Sequence, residues 1–219
     1  MQKKKTDSRL AHGEAYQRII DAAEILFSER SPDQVGFREL AAAAGVSLSA
    51  IHYHFGSKEA LLKEIFSIRA APLTKRRAES LACLKDEGRD RDLEAVLEAF
   101  VRPAFDVTRG NREDLFNKLR ARLAVESSTM TRETISEAFD DNDAVFLDVI
   151  QRAVPNLSPA DIYWRFHFFV GAMIYTMSDS GQLEGLSKGA CDPSNVEDSI
   201  AQLVRSFDAV FKAPAISRR

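Results

Sequence analysis

The 219-residue chain has only two cysteines, Cys83 and Cys191, and each stands alone in the sequence. Isolated cysteines are typical of reduced thiols in a cytoplasmic protein, so we expect no disulfide. The four histidines do not indicate a metal site either, because His52 and His54 differ by about 200° around a helix and cannot converge on one ion. We therefore predict neither a structural metal nor a cofactor.

Short enzyme motifs are also missing: the sequence contains no GxSxG, GxxxxGK[ST], GxGxxG or HExxH. This disfavours an enzyme without excluding one, because catalytic groups can assemble across a fold. Long uncharged apolar runs are absent as well. Arg165 and His167 interrupt the most apolar segment, and its remainder is too short to cross about 30 Å of bilayer.

Strand-like alternation of apolar and polar residues is absent from the second half of the chain. We predict an all-α protein, with helices near 93–107, 113–127, 132–153, 159–180 and 194–212. Pro103 should kink the first of these. Residues 70–92 turn polar and are predicted to form a loop or a surface-helix connection between two domains.

Residues 37–55, FRELAAAAGVSLSAIHYHF, have the pattern of two short helices joined by a glycine turn. Gly45 suits a positive φ at the corner, and Ser47 can cap the second helix. Val46, Ile51 and Phe55 should point inward. The first turns of such a second helix meet base edges and phosphates in helix-turn-helix proteins. The side chains left on the open face are Leu48, Ser49, Ala50, His52 and Tyr53.

The run GFRELAAAAGVSLSAIHYHFGSKEALLKEIF resembles the N-terminal domain of the tetracycline-repressor family of bacterial transcriptional regulators. The AGVS turn, the HF pair and the SKEAL helix start carry the resemblance. The chain departs from the family at Ser31, where a glycine often ends the first helix, and at Gly36, where a threonine usually caps the second. His52 replaces a tyrosine that usually touches phosphate. An imidazole is shorter than a phenol and can titrate near neutral pH, so we expect a weaker or pH-dependent contact.

Lys58 stands in the first turn of the next helix, where the helix dipole disfavours a cation unless an anion is near. We predict an anion site formed by the N–H groups of Ser57, Lys58 and Glu59 with the lysine ammonium, and the resemblance implies that this lysine contacts the DNA backbone. Alternatively, Glu59 neutralises a surface lysine. The predicted DNA-binding residues are Ser47, Leu48, Ser49, Ala50, His52, Tyr53 and Lys58.

The net charge of −3 is unusual for a DNA-binding protein. Residues 1–70 carry ten Lys and Arg against nine Asp and Glu, and the rest of the chain carries twenty against twenty-four. The attraction to DNA must therefore come from the local placement of basic residues. We predict a basic flexible arm at residues 1–14, containing Lys3, Lys4, Lys5 and Arg9, that either follows the DNA or is a disordered tail. A DNA-binding domain follows at 15–69, and a helical domain at 70–219.

Residues 162–177 leave almost no polar face, so we expect this helix to be buried on every side, partly by a second subunit. The resemblance implies that the last two long helices of each protomer form an intersubunit four-helix bundle. The predicted dimer interface comprises Ile162, Phe166, Ile174, Leu203, Phe207 and Val210.

Fourteen phenylalanines are many for this length. They form either ordinary core packing or, as the resemblance implies, a cavity for a small apolar effector. Arg120 is then a charged anchor with Tyr175 or His167 as polar partners, or it belongs to a surface or interdomain ion pair. The predicted effector site comprises Phe100, Phe105, Phe116, Arg120, Leu123, Phe146, Phe169 and Met173.

We expect a ligand-responsive repressor that binds an inverted-repeat operator as a homodimer and is released when a small apolar or amphipathic effector shifts its conformational population. Two alternatives remain open. One is a DNA-binding regulator whose C-terminal domain binds a protein partner or only dimerises, and the other is an all-α enzyme.

Overall fold

A computed structural model of the chain describes residues 2–106, 112–126, 128–178 and 181–215, and every regular element within them is helical. The predicted all-α class is confirmed. None of the described helices is both long enough and apolar enough to span a bilayer. The elements are α1 (Gln2–Glu29), a 3₁₀ turn (Pro32–Gln34), α2 (Phe37–Ala44), α3 (Leu48–His54), α4 (Lys58–Asp86), α5 (Leu93–Phe105), α6 (Arg112–Ala124), α7 (Thr129–Ala153), α8 (Pro159–Ser178), α9 (Gln182–Ser187) and α10 (Val196–Lys212).

The five helices predicted in the second half of the chain are all present, with ends that differ by up to three residues in the described part. Three predicted ends, Val107, Ser127 and Ser180, lie outside the described residues. The short helix α9 was not predicted. It buries none of its side chains, so its sequence carries no apolar stripe that periodicity can reveal.

The N-terminal helix is longer than predicted. The sequence indicated a flexible arm at residues 1–14, but α1 continues without a break from Gln2 to Glu29. No proline interrupts this segment, and lysine, arginine, glutamine and alanine all have high helix propensity. The basic stretch is therefore an extension of the helix that leads into the first core.

The connection predicted at residues 70–92 is also mostly helix, because α4 runs from Lys58 to Asp86 with Pro72 in its interior. Its inward positions Ala70, Leu73, Arg77 and Leu81 recur at helical spacing and are buried, so this is not a surface connection. The polar connection shrinks to the residues after Asp86. There Gly88 takes φ 68° and ends the helix, with the Arg89 N–H donating to the Leu84 carbonyl at 2.8 Å.

The chain folds into two compact units that share two helices. The first unit contains Met1–Arg69 and Arg112–Ile135, and the second contains Ala70–Asn111 and Ser136–Arg219. This division differs from the contiguous one that the sequence suggested, because α6 and the start of α7 group with the first unit. Both α4 and α7 cross the boundary, so each links the two units covalently through a continuous helix.

The core of the first unit forms where α1 packs against α2, α3 and α6. Two ion pairs hold α1 to its neighbours. Arg69 of α4 donates to both carboxylate oxygens of the buried Glu24 at 2.9 and 2.7 Å, and Arg30 pairs with Glu39 at the start of α2. Fully buried apolar side chains of this core are Ile19, Ile20, Ala23, Phe27, Leu40, Ile51, Leu61, Leu62 and Ile65.

In the second unit α10 packs against both α5 and α8. Asp92 and Asn195 cap α5 and α10, because their side chains accept the backbone N–H groups of Ala95 and Asp198. Arg102 of α5 also donates to both carboxylate oxygens of Glu197 at 2.8 and 3.0 Å. Fully buried residues here include Val96, Leu97, Phe100, Val101, Phe146, Ile150, Phe169, Met173 and Phe211.

Candidate nucleic-acid interface and regulatory site

The turn between α2 and α3 has the geometry that its sequence indicates. Gly36 caps α2 in an extended conformation without a side-chain hydrogen bond. Gly45 ends the helix with φ 62°, and its N–H and that of Val46 donate to the carbonyls of Ala42 and Ala41 at 3.2 and 3.0 Å. Only glycine adopts this conformation without strain, so the angle between the two helices depends on Gly45.

Ser47 begins α3 as predicted. Its hydroxyl accepts the Ala50 N–H at 3.2 Å and lies 2.9 Å from the hydroxyl of Ser49. The cap satisfies one of the backbone N–H groups that have no partner in the first turn of a helix. Both hydroxyls remain exposed, so the serine pair lies on the outer surface of the turn.

The open face of α3 carries Leu48, Ser49, His52 and Tyr53, as the sequence predicts. Tyr53 is 74% exposed and Leu48 38% exposed. Ala50 is half-buried, Ile51 is fully buried, and Phe55 is half-buried against Tyr16. The ring of His52 meets the ring of Phe37 edge-on, with centroids 5.0 Å apart. The first turn of α3 carries Ser49 and Ala50, whose small side chains allow close approach to a groove, and Tyr53 projects from the following turn.

Lys58 lies where the sequence places it, but its ammonium already has partners. The Nζ atom donates to the backbone carbonyl of Pro32 at 2.9 Å and to that of Asp33 at 3.2 Å. Lys58 thus holds the 3₁₀ turn after α1 to the start of α4. Glu59 does not neutralise it, because Glu59 lies 3.5 Å from Lys63. The Ser57 hydroxyl, meanwhile, accepts the Ala60 N–H at 3.0 Å and caps α4.

Tyr16 of α1 supports α3 from beneath, and sequence reasoning missed it. Its ring stacks on Phe55 at 5.3 Å, meets His54 edge-on at 5.9 Å, and its hydroxyl donates to Glu64. Burial, reinforced by the bond to Glu64, raises the pKa of Tyr16 to about 12. A signal was present, because Tyr16 continues the helical spacing of the buried residues Ile19, Ile20 and Ala23.

The second unit contains an aromatic cluster built from three helices. Phe100 of α5 lies 5.0 Å from Phe146 of α7, 5.2 Å from Phe166 and 5.7 Å from Phe169 of α8, measured between ring centroids. Phe169 continues to Phe207 of α10 at 5.2 Å. Three of the predicted effector residues, Phe100, Phe146 and Phe169, are thus brought together.

Arg77 of α4 lies fully buried against this cluster. Its guanidinium carbon lies 3.5 Å from the centroid of the Phe100 ring, and its Nε donates to the Phe100 carbonyl at 2.8 Å. One Nη contacts the Met173 sulfur at 3.8 Å and the other lies 3.7 Å from a carboxylate oxygen of Asp143. The Phe100 ring, the Phe100 carbonyl and the Asp143 carboxylate together compensate the burial of this guanidinium. The sequence interpretation missed Arg77 because it assigned residues 70–92 to a connection.

Of the other predicted effector residues, Met173 contacts Arg77 beside the cluster, three belong to the first unit, and Phe105 lies at the end of α5. Phe116, Arg120 and Leu123 belong to α6, which groups with the first unit, where Phe116 meets Phe66 edge-on at 5.0 Å. All three are buried. Arg120 is therefore a buried residue of the first unit, and its role as a charged anchor stays a prediction. Phe105 is buried at the end of α5.

Some of the residues predicted for a dimer interface are buried within the protomer, and the others are partly exposed. Ile162, Phe166 and Leu203 are buried within the protomer, whereas Ile174 and Phe207 are half-buried and Val210 is 38% exposed. The helix α8 is covered on only one side within the protomer, and the expected burial of its other side by a second subunit stays a prediction. It presents an aromatic face to solvent, comprising Tyr163, Trp164, Phe168 and Tyr175, of which Trp164 is 61% and Phe168 55% exposed. We call these four residues the α8 outer face.

Arg165 of α8 contacts the C-terminal end of α10. Its guanidinium donates to the backbone carbonyls of Val210, Phe211, Ala213 and Pro214 at 2.7 to 2.9 Å, and so caps the C-terminus of α10. A cavity of about 340 Å³ opens beside this cap, lined by residues 153–157 and 211–215. None of the predicted effector residues lines it.

Comparisons with known proteins identify the family of both parts of the chain. The family model described as bacterial regulatory proteins of the tetR family matches residues 19–65, and that of the tetracyclin repressor-like C-terminal domain matches residues 98–209. An uncharacterised helix-turn-helix-type transcriptional regulator of Mycobacterium tuberculosis is 49% identical over 47 residues, which are 22% of this chain and 23% of that protein. The regulator SrpR of Pseudomonas putida is 27% identical over 127 residues, or 58% of this chain and 55% of SrpR. The matches thus span less than two thirds of the length of these two relatives.

Solved structures show the same fold. A tetR-family transcriptional regulator from Streptomyces coelicolor superposes with a TM-score of 0.54 at 25% identity, covering 90% of this chain and 80% of that one. The fatty acid degradation regulator FadR from Bacillus halodurans superposes with a TM-score of 0.60 at 18% identity, covering 87% of this chain and 94% of that one.

Proposed function

The chain belongs to the tetracycline-repressor family of bacterial transcriptional regulators, and we propose that it is a ligand-responsive repressor that binds an inverted-repeat operator as a homodimer. The observation that carries this proposal is the open face of α3. It is capped and positioned by its own unit, while its outward side chains remain available for a groove. Such a regulator acts on the chromosome, which places it in the cytoplasm.

We place α3 in the major groove, with Leu48 and Ser49 nearest the base edges and His52 and Tyr53 toward the backbone. Ser47 orients the first turn. Lys58 fixes the turn at Pro32–Gln34 with two N–H groups of its ammonium, and the third N–H is proposed to donate to a phosphate. Its charge still adds to the attraction for the duplex.

The homodimer is proposed to form through the α8 outer face together with α10. Exposed aromatic residues at helical spacing are rare on a monomer surface and are enriched at the centres of protein interfaces. Ile174, Phe207 and Val210 extend the face, since each remains partly accessible in the protomer. A two-fold pair places its two α3 helices in successive grooves about 34 Å apart.

An effector of apolar or amphipathic chemistry is proposed to bind at the aromatic cluster beside Arg77. The cluster joins α5, α7 and α8 to α4, and α4 continues into the first unit up to Lys58. A ligand that separates Phe100 from Arg77 therefore acts on the helix that follows α3 in the chain and begins at Lys58. If it favours the displaced α4 by 1 to 3 kcal/mol, a range typical of allosteric coupling, operator affinity falls roughly 5- to 150-fold.

Selection from a random duplex library with the full-length protein tests the DNA-binding part of the proposal. We expect an inverted repeat, and on the selected duplex a log-log salt slope on the order of −7, from about four phosphate contacts per protomer. Tyr53→Ala should weaken binding, whereas Val125→Ala, at an exposed site outside α3, should not. Purified protein that remains monomeric and selects no sequence in dilute buffer would contradict the proposal.

A second candidate is a regulator controlled by a protein partner. The exposed Leu183 and Leu186 of α9 favour it, because they add apolar side chains to the surface of the second unit. A screen of amphipathic compounds separates the two. An effector should raise the melting temperature and lower operator affinity together, whereas a partner-controlled regulator responds to none of them.

A further inference from the structure

The open face of α3 carries few of the groups that read bases by strong hydrogen bonds. Within Leu48–His54, LSAIHYH, there is no arginine, lysine, asparagine, glutamine or carboxylate. Bidentate recognition of guanine by arginine or lysine, and of adenine by asparagine or glutamine, is therefore unavailable from this helix. What remains is a serine pair, an imidazole, a phenol and one branched apolar side chain.

The polar groups among these are partly engaged. The Ser47 hydroxyl holds the N–H of Ala50, and it also bonds to Ser49. The ring of His52 packs edge-on against Phe37. Leu48 differs, because it follows the cap directly, is 38% exposed, and is not among the buried residues of the first unit. A leucine in this place offers the bases only a methyl-bearing surface.

Thymine is the base that offers a matching group in the major groove, since its C5-methyl is the sole apolar feature on that edge. On the basis of the proposed function, we infer that Leu48 is a specificity-determining residue that reads thymine methyl groups, and that the half-site of the operator places a thymine opposite it. Removing one buried methyl group weakens binding about fourfold, or about 15-fold for one thymine in each half-site of a symmetric operator.

Deoxyuridine provides the test, because it lacks the C5-methyl and keeps every hydrogen-bonding group of thymine. Full-length protein first selects its duplex from a random library. Affinity is then measured by fluorescence anisotropy on that duplex and on versions in which symmetric pairs of thymines are replaced, pair by pair, with deoxyuridine. The wild type should lose about 15-fold at one pair. Leu48→Ala should bind the thymine and deoxyuridine versions of that duplex equally.

Ser49→Ala is the matched control, since it alters the neighbouring side chain and leaves Leu48 in place. It should weaken both duplexes by the same factor and retain the full discrimination. Two results overturn the inference while the proposed function stands: equal binding of all duplexes by the wild type, or discrimination that persists in Leu48→Ala, which indicates readout of DNA shape. Failure to select any duplex overturns the proposed function and, with it, the inference.

Discussion

The helices α3 and α8 each leave one side uncovered, and the two uncovered sides differ in chemistry. The first turn of α3 presents serine and leucine, whereas α8 presents Tyr163, Trp164, Phe168 and Tyr175. Small side chains permit a helix to enter a groove about 12 Å wide. Aromatic side chains suit a flat protein surface, because they bury large areas at low entropic cost. Exposure alone thus does not define a function, and the two proposed roles rest on the side chains that start α3 and on the aromatic residues of α8.

The largest effect is expected from a charge on the α8 outer face. Phe168→Glu should convert the dimer to a monomer, because an unpaired carboxylate cannot be desolvated in an apolar interface. Operator affinity should then fall at least 100-fold, since one short helix makes too few contacts. Sedimentation equilibrium and fluorescence anisotropy measure the two changes.

Val125→Glu is the control for this variant, because Val125 is exposed and lies outside α8. It should leave both the oligomeric state and DNA binding unchanged. A Phe168→Glu variant that stays dimeric would remove the assignment of the α8 outer face to self-association, and would favour a different partner for the exposed aromatic residues.

A change at Arg77 of α4, which packs against Phe100 and Met173, should alter stability instead. Arg77→Met keeps an apolar side chain of similar length beside Phe100 but removes the hydrogen bond to the Phe100 carbonyl and the charge near Asp143. We expect the free energy of unfolding in urea to fall by about 2 to 3 kcal/mol, because a buried carbonyl and a carboxylate lose their partner. Arg76→Met changes the adjacent, less buried arginine and should cost under about 0.5 kcal/mol. Equal stability of the two variants would show that Arg77 acts through packing alone.

The difference between these two regions also explains what could be predicted from the sequence. The α2 to α3 turn depends on local chemistry: Gly45 takes a positive φ and Ser47 caps the next helix, and both requirements are visible in adjacent residues. The direction of Tyr53 followed from its angular distance from Ile51. Local rules were sufficient there because the site is built from one short segment.

The aromatic cluster of the second unit depends on which helices pack together, and short stretches of the sequence do not reveal this. Arg77 stands in a run of basic residues that is typical of a solvated surface, yet packing of α4 against α5 and α8 buries it. Phe116 has the same character as Phe100, but α6 packs in the other unit. The sequence of α8 is apolar on nearly every side, so its pattern could not show that Phe166 faces inward and Phe168 outward.

On α3 a moderate effect on DNA binding should appear without any effect on stability. Tyr53→Ala should lower operator affinity roughly 5- to 10-fold, because the exposed ring and its hydroxyl are proposed to contact the DNA backbone. Its melting temperature should match the wild type. Tyr53→Phe separates the two contributions, since it keeps the ring and removes the hydroxyl. A Tyr53→Ala variant with unchanged affinity would restrict the interface to the first turn of α3.

The smallest effect is expected beneath α3, at Tyr16. Burial and the bond to Glu64 raise its pKa from 10.0 in the unfolded chain to about 12 in the folded protein. The folded state therefore favours the protonated phenol, and this stabilisation is complete below pH 10 and is lost as the pH rises from about 10 to about 12. Tyr16→Phe keeps the ring against Phe55 and removes the titrating hydroxyl, so its stability should fall less steeply than that of the wild type over this range. Urea unfolding between pH 9 and 12 measures the two slopes, and parallel profiles for Tyr16→Phe and the wild type would mean that α3 is supported by ring packing alone.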